Sequence, residues 1–142
     1  MIVSKFGGTS VGSAENIKKV IHIVQKKSQK TAVVVSALGG ITNLLIKAAD
    51  LALKNDEGYQ EIVDQIEQRH FSTIEGLLHH DNQTVCKAEV AKRLNKLKEV
   101  LNGVALLNDL SNKTSARIVG LGEELSSFII YHAMYFWIAR LR

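Results

Sequence analysis

The first residues that could do chemistry are Lys5-Phe6-Gly7-Gly8-Thr9-Ser10. Backbone N–H groups in a glycine turn between a strand and a helix can cradle phosphate oxygens, and the helix N-terminus adds positive potential. The spacing is not that of a Walker A loop. Gly7 and Gly12 are followed by Ser13 where the loop lysine belongs, and the available lysine precedes the glycines. The competing explanation is a tight strand-to-helix turn that needs small residues for steric reasons alone. A strand lysine beside the glycines shifts the balance towards phosphate.

A second glycine turn follows in Val35-Ser36-Ala37-Leu38-Gly39-Gly40-Ile41-Thr42-Asn43. Ligands of open parallel sheets bind beyond the carboxyl ends of the strands, so two such turns would flank a common crevice. Taken alone, Ser36 and Thr42 read as turn and N-cap hydroxyls. A third segment, Gly120-Leu121-Gly122-Glu123-Glu124-Leu125-Ser126, has leucine where a dinucleotide fingerprint needs its last glycine. Glu123 there could begin a helix, its carboxylate at the positive end. His79-His80-Asp81 lacks a partner cluster and reads as a polar turn rather than a metal site. Cys86 has no activating motif and reads as a buried structural thiol. Lys87, Lys92, Arg93, Lys96 and Lys98 share their segment with Glu89 and Glu99, which suits a solvated helix face better than a nucleic-acid patch.

These segments need elements to hold them. Residues 1–6 read as a short buried strand ended by Gly7-Gly8, and Thr31-Ala32-Val33-Val34-Val35 as a second buried strand. Between them Ser13 is placed to cap a helix with Ile17, Val20, Ile21 and Val24 on its apolar face. The result is a βαβ unit of a parallel sheet over residues 1–40, in an α/β fold. The sequence beyond, 41–142, reads as mostly helical. Leu44, Leu45, Ala48, Leu51 and Ala52 make one face, and Asn55-Asp56-Glu57-Gly58 breaks that helix. Tyr59, Ile62, Val63, Ile66, His70, Ile74 and Leu77 make the next face. A polar loop at His79–Gln83 precedes Val90, Leu94, Leu97, Leu101 and Val104, which predicts an antiparallel helical hairpin packed on the sheet. Two strands leave open edges, so the sheet is expected to be incomplete.

Composition sets the outer bounds. The 142 residues suffice for one domain, and 46% apolar with 23% charged residues excludes a disordered chain. No apolar run approaches the ~20 residues that span a bilayer, and the N-terminus lacks the pattern of a signal peptide. One cysteine excludes an internal disulfide framework. A cytoplasmic protein is expected. Its formal charge of +4 suits small anions as well as nucleic acid. Residues 128–139 carry five of the eight aromatic residues and are apolar on nearly every side, so this helix is expected to join copies of the chain into a homo-oligomer.

In this order, Lys5–Val11, Val35-Ser36-Ala37 with Gly40–Leu45, and Gly122-Glu123-Glu124-Leu125-Ser126 resemble three motifs of the aspartate kinases of the amino-acid kinase family. The resemblance covers nearly the whole chain, and the helical stretch around Leu94–Leu107 resembles that of the bifunctional aspartokinase–homoserine dehydrogenases. It implies an incomplete amino-acid-kinase-like fold, about the first half of a kinase domain, without the later Gly-Gly-Ser-Asp segment or regulatory ACT domains. It implies transfer of the γ-phosphoryl group of ATP to the side-chain carboxylate of L-aspartate, with Mg²⁺. By the same resemblance Lys5 is the catalytic lysine on the phosphates, and Lys5, Phe6, Gly7, Gly8, Thr9 and Ser10 bind the nucleotide. Ser36 and Thr42 match positions near the substrate, and Glu123 matches an acidic residue that holds aspartate. No resident metal ligands, nucleic acid or membrane partner follow from it. The chain alone is expected to be inactive. A non-catalytic association module and a different amino-acid kinase are the alternatives.

Overall fold

The computed structural model describes residues 1–140; Leu141 and Arg142, the end of the expected helical region, lie outside the described residues. The order is β1 (Ile2–Phe6), α1 (Ala14–Gln25), β2 (Thr31–Val35), α2 (Ile41–Leu53), α3 (Tyr59–Leu77), α4 (His80–Leu107) and α5 (Asn112–Ala139). The α/β class and the N-terminal βαβ unit are as the sequence predicts. β1 and β2 pair in parallel, from Ile2 beside Thr31 to Phe6 beside Val35. Ser13 caps α1, its Oγ accepting from the Asn16 N–H at 3.2 Å. Glu15 sits in the first turn, where its carboxylate faces the positive end of the helix dipole.

The strands are less buried than their apolar runs suggest. Side chains alternate across a pleat, and partners in a parallel pair share a face. Phe6 and Val35 therefore turn together into the core, while Lys5 and Val34 turn together onto an open face. Val3 is 64% and Val34 45% exposed on that face. Burial on both faces needs layers on both faces, and the helices described here cover one.

Every apolar face predicted beyond β2 is buried, and the break at 55–58 falls between α2 and α3. α3 and α4 form the expected hairpin, but it packs on α2 and, through α3, on α1, instead of lying on the sheet. The reason is connectivity. α2 presents Leu45, Ala48 and Ala52, a face of small and branched residues that accepts two neighbouring helices. Leu94 and Leu101 of α4 are fully buried there, each contributing roughly 1.5–3 kcal/mol from area removed from water.

Three further expectations are corrected. His80–Gln83 are not loop but the first turn of α4, entered through an extended His79. The Gln83 amide donates to the Leu78 carbonyl at 2.9 Å and Asp81 faces the helix dipole, so these polar residues serve a helix start. Glu123 does not begin a helix: α5 starts eleven residues earlier, at Asn112, capped by Ser111. Thr42 is not an N-cap, because that position belongs to Gly40, at φ 85°. Four of the five lysines and arginines of α4 are ion-paired as a solvated face would have them, with Lys87 on Glu75, Arg93 on Glu89, Lys96 on Glu99 and Lys98 on Asp64.

Candidate functional site

The first glycine turn is held from behind. The Val11 N–H donates to the Gly7 carbonyl and the Gly12 N–H to the Thr9 carbonyl, both at 3.2 Å. Two side chains take up further acceptors: Asn16 Nδ2 donates to the Thr9 oxygen at 3.1 Å, and Arg69 Nη2, from α3, to the Gly12 oxygen at 3.0 Å. Val11 is fully buried and fixes the base of the turn in the core. Among the described residues, no backbone carbonyl takes up the N–H groups of Gly8, Thr9 or Ser10. Thr9 and Ser10 are exposed. The turn thus has the Gly7, Thr9 and Gly12 carbonyls engaged on the protein side and N–H donors left over at its crest, the polarity an anion requires.

The second turn touches the first. A Cβ on Gly39 would lie 3.2 Å from the Gly8 oxygen and 3.4 Å from the Gly12 Cα, closer than a side chain readily fits. The Ser36 N–H donates to the Phe6 carbonyl at 3.0 Å, so both turns leave the sheet at one level. The predicted shared crevice is therefore a contact between two backbones. Ser36 and Thr42 are half-buried along it.

The third segment arrives from the side, in the middle of α5. A Cβ on Gly122 would lie 2.8 Å from the Ala37 Cβ and 3.3 Å from a Leu45 methyl. Absence of a side chain lets α5 close on the second turn. Ser126, fully buried, donates its hydroxyl to the Ser36 carbonyl at 2.6 Å. Glu123, one residue after that contact, is exposed.

Most of the predicted residues thus stand on three segments brought into contact. Lys5 is exposed on the open sheet face, two residues before Gly7. Phe6 differs: its partly buried side chain packs against the core and its carbonyl accepts from the Ser36 N–H. Gly122 and Ser126, motif positions to which sequence gave no role, and Asn16 and Arg69, which sequence did not single out, organise the site. Their partners lie up to ninety residues away, and only Asn16, three residues after the cap, carried a local signal.

Other candidates stand apart. Cys86 is buried, and burial pushes its thiol pKa up, which suits an inert thiol. Among the described residues no three His, Cys, Asp or Glu side chains converge as metal ligands. Among the described residues no helix is long and apolar enough to cross a membrane.

Comparison with known proteins agrees with the fold. The model of the amino acid kinase family matches residues 1–136. An aspartokinase of Candida albicans is 33% identical over 88% of this chain and 24% of its own length. A bifunctional aspartokinase/homoserine dehydrogenase of Buchnera aphidicola is 33% identical over 92% of this chain and 16% of its own. The crystal structure of E. coli aspartokinase III in complex with aspartate and ADP superposes with a TM-score of 0.83 at 29% identity, covering 95% of this chain and 29% of that one. The chain therefore spans less than a third of each of these relatives. With the fold, the motifs and the family model in agreement over nearly all its length, the chain belongs to the amino acid kinase family.

Proposed function

We propose that this chain supplies the phosphate-binding and aspartate-holding part of an aspartate kinase. The observation that carries the reading is the backbone contact between the two glycine turns, with Gly39 against Gly8 and Gly12 at the carboxyl ends of two parallel strands. The N–H groups of Gly8, Thr9 and Ser10 have no backbone acceptor among the described residues, the exposed Lys5 shortly precedes them, and the exposed Glu123 follows Gly122, where α5 closes on the second turn. In the reaction a side-chain carboxylate oxygen of L-aspartate forms a bond to the γ-phosphorus of ATP as the bond to ADP breaks. The carboxylate is already ionised near neutral pH, so no strong base is needed. The difficulty is to bring two anions together, which positive charge and fixed donors answer. Lys5 and the crest N–H groups would hold the phosphates, and Glu123 the substrate ammonium. Mg²⁺ would come with the nucleotide.

Half of such a constellation lacks the preorganisation that phosphoryl transfer needs. Calorimetric titration of the chain with ATP is expected to show saturable binding that Lys5→Ala weakens. A coupled assay is expected to show no aspartate-dependent ADP release. Absence of saturable binding overturns the nucleotide reading. Release at the ~1 s⁻¹ or faster typical of kinases overturns the inactivity.

A second reading, self-association, is favoured by one stripe of α5. Tyr131, Tyr135 and Ile138 are 63%, 60% and 41% exposed at helical spacing, and the two tyrosine rings stack at 6.4 Å. The homo-oligomer expected from sequence would use this stripe, with a second copy as its partner.

A further inference from the structure

We propose that Arg69, assisted by Asn16, is a positioning residue for phosphate, holding the first glycine turn in its anion-accepting form from α3. The proposal rests on the nucleotide reading above and extends it to residues outside the three motifs. A glycine turn has no side chains to fix its peptide planes, and a flip of one plane would replace a donor at the crest with a carbonyl that repels phosphate. Two carbonyls of this turn are held by side chains from beyond it: Thr9, whose peptide plane carries the crest N–H of Ser10, by Asn16 at 3.1 Å, and Gly12, whose plane carries the Ser13 N–H where the turn enters α1, by Arg69 at 3.0 Å.

Arg69 is suited to this by its own anchoring. It lies in the interior of α3, half-buried, and its main-chain oxygen accepts from the Thr73 hydroxyl at 2.8 Å. The guanidinium stays charged at any working pH and presents planar donors. Its bond to the Gly12 carbonyl polarises the peptide leading into Ser13, the cap of α1, and adds positive charge behind the crest. No ion pair links Arg69 to a carboxylate among the described residues, so its charge is not spent on a neighbour. Arg69 touches no substrate in this scheme and acts through the loop.

The test compares wild type, Arg69→Met, Arg69→Lys and Lys26→Met, the last removing an exposed charge at the far end of α1. Calorimetry with inorganic triphosphate reads the phosphate contribution without the base. Amide hydrogen exchange at Val11 and Gly12 reads the turn, and exchange at Leu78 reads α3. Arg69→Met is expected to bind triphosphate about ten-fold more weakly, as loss of a charge-assisted hydrogen bond would give. Exchange should quicken at Val11 and Gly12 and stay unchanged at Leu78. Arg69→Lys should recover part of the affinity, and Lys26→Met should match wild type. Wild-type affinity in a folded Arg69→Met chain overturns the proposal, as does weaker binding with unchanged exchange in the turn. If Arg69→Met does not fold, Arg69→Lys carries the comparison, and wild-type affinity with wild-type exchange there overturns it. Wild type that binds neither ATP nor triphosphate overturns the nucleotide reading itself, whereas binding indifferent to Arg69 overturns only this inference.

Discussion

The Ser126 hydroxyl lies 2.6 Å from the main-chain oxygen of Ser36, ninety residues earlier. It also lies 3.2 Å from the Glu123 carbonyl in its own helix. A hydroxyl has one proton to give, and the shorter contact assigns it to Ser36. That bond ties the middle of α5 to the end of β2, where the second glycine turn begins. Ser126→Ala would leave the Ser36 carbonyl facing a methyl group in a buried place. The expected cost is about 1–3 kcal/mol of folding stability, read as a lower denaturant midpoint at unchanged slope. A midpoint equal to wild type would show that the bond adds nothing.

Two glycines of α5, one turn above, separate helix propensity from packing. A Cβ at Gly120 meets nothing within 4 Å, whereas one at Gly122 meets Ala37 at 2.8 Å. Gly120→Ala should gain up to about 1 kcal/mol from helix propensity alone. Gly122→Ala gains the same propensity but must push α5 off the second turn, at a cost of about 1–3 kcal/mol for overpacking. Opposite signs are expected in thermal melts of the two variants. Stabilisation by both would mean that α5 does not close on Ala37 as described.

Sequence revealed the local parts of this fold well because their causes are local. The apolar spacing of Tyr59 to Leu77 defines a helix face whichever neighbour it meets, and Ser13 caps α1 through a residue three positions on. It revealed the glycine turns as turns, and their contact followed from the end of the sheet at which both sit. The start of α5 was missed because Gly120 and Gly122 look like a break, and only the tertiary fit of Gly122 on Ala37 explains a glycine there. Arg69 was invisible for a related reason. On α3 it reads as one more polar residue, and its partner Gly12 is fifty-seven positions away.

His70 makes stability depend on pH. It is fully buried, and its Nδ1 lies 2.6 Å from the Ile66 carbonyl, which requires the proton on that nitrogen. Nε2 has no partner among the described residues, so a second proton would be buried without an acceptor. Burial is the main cause that lowers its pKa, with the neighbouring Arg69 charge adding to it against the Ile66 hydrogen bond. The unfolded chain takes up the proton below the ordinary histidine value of about 6.5, while the folded chain does not until lower pH. The stability is therefore present above that value and is lost as pH falls through the window below it. The slope is about 1.4 kcal/mol per pH unit where only the unfolded chain is protonated. His70→Asn, which keeps a donor for Ile66, should be less stable at pH 7.5 but flatter between pH 7 and 5. Parallel curves for the two proteins would remove His70 as the cause.

The last helix separates aromatic residues that hold the fold from those available to a partner. Phe128, Phe136 and Trp137 pack against the core, and Trp137 Nε1 donates to the Leu77 carbonyl at 3.3 Å. Lysine at 136 or 137 would therefore disturb folding and could not report on association. Tyr131 and Tyr135 are the informative pair, since both are mostly exposed and lie one turn apart. A second copy placed against them would cover two large aromatic surfaces and Ile138, the kind of patch that drives association when contiguous. Wild type is expected to sediment as a dimer or larger species at tens of micromolar. The doubly substituted Tyr131→Lys, Tyr135→Lys chain is expected to sediment as a folded monomer with an unchanged melting temperature. Trp137→Lys should instead lower the melting temperature, because it removes a packed ring and strands the Leu77 carbonyl. A monodisperse wild-type monomer would end the association reading, and a double variant that still associates would move the interface away from this stripe.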